Sequence, residues 1–269
     1  MISPDILALD FDGVVCDGLR EYFQSAWKAY VAVFKPGDSA PPEGLAERFY
    51  PLRPVVETGW EMPLVIYGLL NGVADGDILA RWPELVLELL AQAGVEKAPL
   101  AEAMDGVRDR WIHADLDDWL SYQRFYPGVI DRIQGAIAAG VELVIISTKE
   151  GRFIQQLLAQ GGVALPADGP LGPDPIHRIL GKEVKRPKYE TLRQIKAASP
   201  GASLWFVEDR VKALQAVQQQ PDLGDIKLFL ADWGYNTEAD RALAAPGSGL
   251  QGLSLAQFCG PFETWVAAE

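Results

Sequence analysis

Two aspartates near the start of the chain have the residue type and spacing of a reactive site. Asp10 and Asp12 directly follow an apolar run at residues 6–9, and Gly13 comes next. Carboxylates can act as nucleophiles, as general acids and bases, and as ligands of hard cations. A short apolar run ended by a turn signal is typical of a buried parallel strand, and ligands of open parallel sheets bind at the strands' carboxyl ends. We therefore expect both carboxylates at that edge, with Gly13 allowing a sharp turn.

Further polar side chains follow other apolar runs. Ser147 ends the run at 141–146, and the acidic pair Glu208-Asp209 ends the run at 204–207. Lys188 lies at the head of a predicted helix, at about 187–198, before the second of these runs. The neighbouring residues Lys185 and Arg186 are close enough to compete for any role that a lysine has there.

In type and order, this set resembles the four motifs of the haloacid dehalogenase-like (HAD) superfamily. The resemblance implies that Asp10 is the nucleophile that accepts a phosphoryl group and that Asp12 is the general acid and base. It also implies that Ser147 and Lys188 hold phosphoryl oxygens as charge develops, with Lys185 as the competing lysine.

The same resemblance implies a Mg²⁺ site. Its ligands would be the Asp10 side chain, the Asp12 backbone carbonyl and Asp209, with Glu208 close by or acting through water. Hard oxygen ligands and retained waters suit Mg²⁺. In some members of the superfamily another acid follows the aspartate by four residues. That position is Ala213 here, so the acidic pair itself must supply the ligands.

Helices and strands alternate in the parts of the chain that contain these residues. Besides the runs already given, strands are expected at 176–180 and 226–230, and helices at 150–160, 210–219, after Asn236 and near 254–267. This alternation predicts an α/β fold, a doubly wound parallel sheet with a Rossmann-like core. From 18 to about 123 the pattern is helical throughout, with helices near 43–50, 55–71, 76–93 and 98–123 after a first one that ends at Phe34.

The resemblance therefore implies a HAD-like catalytic core at 1–17 and 125–269 and an inserted all-helical C1 cap at 18–124. The segment Trp233-Gly234-Tyr235, after the fifth predicted strand, is similar to phosphoglycolate phosphatase-like members. We expect the insertion to close over Asp10 as a lid, with Arg53 and Glu61 as first candidates for residues that select the substrate.

Composition limits the classes of function. With 269 residues, 49% hydrophobic content and only two cysteines, the chain suits a globular protein of a reducing compartment, which we take as the cytoplasm. No signal peptide or membrane span is visible. The net charge of −13 opposes binding to nucleic acid or to an anionic membrane. The isolated His113 and His177 are interpreted as structural, and Cys16 as a small buried apolar residue.

The expected function is Mg²⁺-dependent hydrolysis of a small phosphorylated metabolite through an aspartyl-phosphate. An acid at position 12 favours phosphate-ester chemistry over dehalogenation, which does not need it, and over phosphonate cleavage, where the family has a small residue. A phosphomutase of the same superfamily stays open as an alternative, because it has the same motifs. A non-catalytic binding protein with this fold is the other alternative, although none of the motif residues is missing.

Overall fold

The computed structural model describes residues 3–163, 178–245 and 247–266. The chain divides into two compact units. One is formed by Met1–Asp17 together with Phe125–Glu269, and the other is Gly18–Arg124. Within the described ranges, none of the helices combines the length and the apolar composition that crossing a bilayer requires.

A parallel sheet of six described strands forms the centre of the first unit. The strands of the chain are β1 (Ile6–Leu9), β2 (Cys16–Asp17), β3 (Arg124–Phe125), β4 (Glu142–Ile146), β5 (Arg178–Leu180), β6 (Leu204–Glu208), β7 (Lys227–Ala231) and β8 (Leu250–Leu253). The large sheet has the spatial order β5-β4-β1-β6-β7-β8, and all its neighbouring strands are parallel. β2 and β3 form a separate two-stranded sheet.

The strand order places β1 at a topological switch point. After β1 the sheet continues with β4 and β5 on one side, and it then resumes with β6, β7 and β8 on the other. In open parallel sheets the crevice at the carboxyl ends of such strands is where ligands bind. The residues after β1, β4 and β6 therefore lie at the edge where a site is expected.

Helices cover both faces of this sheet. The helices of the first unit are α7 (Val129–Ala138), α8 (Gly151–Gln160), α9 (Lys188–Ala198), α10 (Val211–Gln218), α11 (Glu238–Ala242) and α12 (Leu255–Cys259), numbered after the six of the insertion. On one face, Ile6 and Phe206 pack in one cluster with Leu192 of α9 and Leu214 of α10. Strand residues alternate between faces, and the buried Trp205 contacts the ring of Trp265, after α12, on the other face. The predicted doubly wound α/β fold is confirmed.

The second unit is an all-helical insertion. Its helices are α1 (Leu19–Phe34), α2 (Leu45–Phe49), α3 (Glu61–Leu70), α4 (Asp75–Ala93), α5 (Lys97–Ala114) and α6 (Leu116–Ser121). Stacked aromatic rings join α1 to α3, with Phe34 4.8 Å from Tyr67 between ring centroids. An ion pair joins α1 to α5: Arg108 donates to both carboxylate oxygens of the buried Glu21, at 2.9 and 3.1 Å.

Three element boundaries differ from the sequence prediction. The helix predicted near 98–123 is divided at Asp115, whose carboxylate accepts the Asp118 N–H and caps α6. The helix predicted at 55–71 begins only at Glu61, since a 3₁₀ turn at Tyr50–Val55 precedes it. The helix predicted near 254–267 ends at Cys259, because Gly260 has extended backbone and Pro261 follows.

The sixth strand of the large sheet, β8, is missing from the sequence prediction. Its sequence Leu-Gln-Gly-Leu buries only its two ends and includes a glycine, so it lacks the continuous apolar run of the inner strands. The strand predicted at 176–180 is described as Arg178–Leu180, and its first two residues, Ile176 and His177, lie outside the described ranges.

The Glu21–Arg108 ion pair generates the first testable prediction. Arg108→Met removes the cation but leaves Glu21, only 1% exposed, in the helix interface with Ser25 as a hydrogen-bond donor. Because removal of one partner of a buried ion pair is costly, we expect the free energy of unfolding to fall by about 3 kcal/mol. Urea unfolding followed by tryptophan fluorescence measures this change.

The matched control is Arg152→Met, which breaks an exposed ion pair with Glu150. Pairs of this kind contribute about 0.5 kcal/mol, so the control should unfold at nearly the wild-type urea concentration. Equal effects of the two substitutions would contradict the prediction.

Candidate active site

Three buried carboxylates meet at the carboxyl ends of β1 and β6. Asp10 follows β1, Glu208 ends β6 and Asp209 follows it. β1 and β6 are hydrogen-bonded neighbours, with Leu9 opposite Val207, so the residues that come next are also adjacent. One oxygen of each carboxylate lies within 4.8 Å of an oxygen of the other two. The structure thus brings Asp10 together with an acidic pair that lies almost 200 positions away in the chain.

Lys188 lies between two of these acids. It is the first residue of α9, and its Nζ is 2.9 Å from Asp10 Oδ1 and 2.6 Å from Glu208 Oε2. The competing Lys185 is exposed and has left-handed backbone, with φ 51°. Arg186 donates instead to the Thr191 hydroxyl, at 3.0 Å. Of the three cationic residues, the structure therefore places Lys188 beside the carboxylates.

The electrostatics of this cluster follow from burial. Desolvation, and then the nearby Glu208, raise the pKa of Asp10 to about 7, although Lys188 opposes the shift. Desolvation also raises the pKa of Glu208, again against the effect of Lys188. Burial lowers the pKa of Lys188, but the two carboxylates outweigh it and the net shift is upward. The cluster thus holds more negative charge than its lysine compensates.

Asp12 lies on the turn after β1 and pairs with a different lysine. Its Oδ1 is 3.0 Å from Nζ of Lys149, a residue of the loop after β4. Gly13 has φ +86°, as a sharp turn requires, and a Cβ added there would overlap the Asp209 carboxylate. The glycine therefore allows the turn and also allows Asp209 to approach the backbone.

Ser147 directly follows β4 and is buried. Its backbone N–H donates to the Leu180 carbonyl, and its Oγ accepts the Lys149 N–H at 3.2 Å. The hydroxyl is thus at the same edge of the sheet as the carboxylates. Its described contacts join it to the Lys149 loop rather than to Asp10.

The loop after β7 fixes Asp209 in place. The Tyr235 N–H donates to Asp209 Oδ2 at 2.7 Å, and the Asn236 side-chain amide donates to the Asp209 carbonyl at 3.0 Å. Trp233 Nε1 donates to the Val14 carbonyl, which ties the same loop to the turn after β1. In the sequence, residues 233–235 are distinguished only by a resemblance, and Asn236 and Lys149 have no distinguishing feature beyond their places after strands.

The donor set suits a hard divalent cation. Asp10, Asp12, Glu208 and Asp209 provide four carboxylates, against which Lys149 and Lys188 provide two ammonium groups. Two negative charges therefore remain when all six groups are ionised. Carboxylate oxygens are the ligands that Mg²⁺ prefers, and a dication would balance this charge.

In the insertion, the two residues predicted to select the substrate, Arg53 and Glu61, both have partners within the same unit. The Glu61 carboxylate accepts the indole N–H of Trp82 and the hydroxyl of Thr58. Arg53 donates to the Val56 carbonyl and lies over the ring of Tyr22. Glu61 therefore holds the start of α3, which accounts for its burial.

Gly234 provides a test of the Asp209 geometry. A Cβ at this residue would overlap the Cβ of Asp209 and crowd the Gly13 carbonyl. Because both neighbours are backbone or close to it, Gly234→Ala should displace Asp209 while the core stays folded. We expect Mg²⁺ affinity, measured by calorimetry, to fall at least about tenfold.

Gly224→Ala is the matched control, since a Cβ there meets nothing closer than 3.7 Å. It should bind Mg²⁺ as the wild type does. Unchanged affinity in Gly234→Ala would show that the close packing around Asp209 is unimportant.

No protein-family model matches the chain, and a search of curated proteins finds no match for it. Solved structures, however, are similar to it along nearly its whole length. A haloacid dehalogenase-like hydrolase from Streptococcus pneumoniae has a TM-score of 0.55 and 12% identity, with 92% of this chain and 94% of that one covered. A predicted phosphoglycolate phosphatase from Haemophilus somnus 129pt has a TM-score of 0.54 and 13% identity, with coverages of 88% and 89%.

Protein tyrosine kinase A of Mycobacterium tuberculosis is also similar, with a TM-score of 0.54, 16% identity and coverages of 98% and 97%. The names of these proteins include both phosphatase and kinase, so the fold alone does not decide the reaction. Identities this low establish the fold. The chain therefore has the haloacid dehalogenase-like fold, as the motifs in its sequence predict.

Proposed function

We propose that this protein is a Mg²⁺-dependent phosphoric monoester hydrolase that acts on a small phosphorylated metabolite through an aspartyl-phosphate. The observation that carries the proposal is the contact of Lys188 with both Asp10 and Glu208 at the carboxyl edge of the sheet. A lysine there stabilises a nucleophilic carboxylate. Its ammonium group can also donate hydrogen bonds to phosphoryl oxygens as charge develops on them. The fold shared with hydrolases supports this assignment.

In the first step Asp10 attacks the phosphorus atom of the ester. A bond forms between a carboxylate oxygen and phosphorus, while the bond from phosphorus to the ester oxygen breaks. Asp12, acting as general acid, gives its proton to the departing oxygen, which leaves as an alcohol. Asp12 is two residues further along the chain on a turn, so the two carboxylates can serve different atoms.

In the second step the aspartyl-phosphate is hydrolysed. Asp12, now ionised, takes a proton from a water molecule whose oxygen attacks phosphorus. The bond between phosphorus and the Asp10 oxygen breaks, so inorganic phosphate leaves and both aspartates regain their starting states. Lys188 and the Ser147 hydroxyl would steady the phosphoryl oxygens in both steps.

The proposed Mg²⁺ ligands are the Asp10 side chain, the Asp12 carbonyl and Asp209, with Glu208 close by. When bound, Mg²⁺ supplies positive charge to the phosphoryl oxygens, since charges 4 Å apart interact by about 4 kcal/mol at an effective dielectric constant near 20. The buried acidic cluster and the upward pKa shifts of Asp10 and Glu208 support a cation at this place.

We also propose that the units at 1–17 with 125–269 and at 18–124 are a catalytic core and a cap that selects the substrate. The support is the division of the chain into two compact units and the all-helical composition of the second. All six residues of the proposed chemistry belong to the first unit, which leaves the second free to determine substrate choice.

Asp10→Asn tests the covalent mechanism. The amide keeps the size of the side chain but loses the attacking anion, so we expect release of phosphate from 4-nitrophenyl phosphate to fall at least about 10³-fold. Circular dichroism should show the fold unchanged.

The control for this variant is Asp232→Asn, because Asp232 is an exposed carboxylate just past β7 at the same edge of the sheet. It should keep nearly full activity. Retention of more than a few per cent of the wild-type rate by Asp10→Asn would refute the aspartyl-phosphate mechanism.

The raised pKa of Asp10 predicts how Mg²⁺ binding depends on pH. Because this pKa is about 7 in the metal-free protein, Asp10 is protonated below pH 7 and must lose its proton when a cation binds. The association constant should therefore rise about fivefold between pH 6 and pH 7 and about twofold between pH 7 and pH 8, and level off above pH 8. Calorimetry at pH 6, 7 and 8, in buffers of different ionisation enthalpy, measures both the affinity and the proton released.

Asp209→Ala is the control for the site and should bind Mg²⁺ weakly at every pH. Affinity that stays constant between pH 6 and pH 8 would contradict the role of Asp10 as a ligand that ionises on binding.

A further inference from the structure

Lys149 makes a contact in the site that the four motifs do not account for. Its Nζ is 3.0 Å from Asp12 Oδ1, and the two side chains are 9% and 18% exposed. The site thus contains two lysines, and each contacts a different aspartate of the first motif. Lys188 contacts Asp10, and Lys149 contacts Asp12.

The fold holds the Lys149 loop on two sides. The Lys149 backbone N–H donates to Ser147 Oγ, and the Lys149 carbonyl accepts the Lys182 N–H at 2.9 Å. Ser147 follows β4, which pairs with β1, so this loop adjoins the turn that contains Asp12. The backbone position from which the Lys149 side chain extends to Asp12 is thus held by contacts with the ends of the sheet strands.

Asp12 needs such a partner more than Asp10 does. Asp10 is buried directly at the end of β1, and its Oδ1 accepts the Phe11 N–H as well as contacting Lys188. Asp12 is two residues beyond the strand and more exposed, so fewer surrounding atoms limit its rotamers. Proton transfer requires a carboxyl group within hydrogen-bond reach of the atom it serves, and the orientation is therefore important.

We propose that Lys149 is a positioning residue for Asp12: its ammonium group holds Oδ1, which keeps the other carboxyl oxygen, the one that carries the proton, directed at the leaving-group oxygen. This inference rests on the proposed function. If so, Lys149 contributes most to kcat/KM when the leaving oxygen is basic and needs a proton. It contributes least when that oxygen departs readily as an anion.

A direct role of Lys149 in binding phosphoryl oxygens has a different consequence. The phosphoryl group is the same in every substrate, so loss of such a contact lowers kcat/KM by the same factor for all leaving groups. Comparison of two leaving groups therefore separates the two roles.

The test compares wild type with Lys149→Met, Lys149→Arg and Lys182→Met on 4-nitrophenyl phosphate and on phenyl phosphate. Only kcat/KM is compared between substrates, because it reports the steps up to phosphoryl transfer to Asp10. For Lys149→Met we expect a loss of about 30-fold or more with phenyl phosphate, the poorer leaving group, and of about threefold or less with 4-nitrophenyl phosphate.

Lys149→Arg keeps a charged donor and should recover kcat/KM for phenyl phosphate to within about tenfold of wild type. Lys182 is exposed on the adjoining loop, so Lys182→Met removes the same charge without touching Asp12 and should leave both substrates unaffected. In an Asp12→Asn background, Lys149→Met should cause no further leaving-group-dependent loss, because its partner is already absent.

Each other outcome overturns the inference in a recognisable way. Equal losses for both substrates assign Lys149 to phosphoryl binding or to the fold, and unchanged kcat/KM gives it no role. A further loss in the Asp12→Asn background shows that Lys149 acts independently of Asp12. If the wild type releases no phosphate from either ester in the presence of Mg²⁺, the proposed function itself fails and the inference fails with it.

Discussion

The contact of Lys188 with Asp10 and Glu208 is the interaction on which the rest of the site depends. It joins three elements, because the lysine begins α9 and the two acids lie at the ends of β1 and β6. All three side chains are largely removed from water, and burial of any one charge alone would be costly. Each group is therefore tolerated only because the other two are present. The sheet order, with β6 next to β1, is what makes this arrangement possible.

A second constraint is steric, and it determines which residues can surround Asp209. Gly13 and Gly234 both approach this side chain so closely that a Cβ on either would overlap it. With no Cβ at these glycines, Asp209 can take a position in which it accepts two hydrogen bonds. The Tyr235 N–H donates to its carboxylate, and the Asn236 side-chain amide donates to its carbonyl. Asp209 is thus positioned by close packing against Gly13 and by hydrogen bonds from the loop after β7, one from a backbone N–H and one from the Asn236 side chain, which is more rigid than support from long side chains. Such rigidity suits the role proposed for Asp209 as a ligand of a small, geometrically demanding cation.

The sequence predicts the fold class well because buried parallel strands such as β1 and β6 are short apolar runs whose ends bear polar residues. It fails at β8, where glutamine and glycine interrupt the run, and at Asp115, where one capping carboxylate divides a helix. The site residues that follow strands can be located in the same way. Which lysine of 185 and 188 reaches the carboxylates depends on the backbone turn at 185, which spacing does not reveal.

Lys149 was not identifiable from the sequence, because its role depends on the pairing of β4 with β1 and not on its own neighbours in the chain. The two lysines of the site differ accordingly. Lys188 is held by two carboxylates and can neutralise charge deep in the cluster, whereas Lys149 contacts Asp12, on the turn beyond β1. Asp10 and Asp12, although only two residues apart, therefore contact different lysines, one at the start of α9 and the other on the loop after β4. This difference in surroundings supports the proposal that the two identical side chains perform two different tasks.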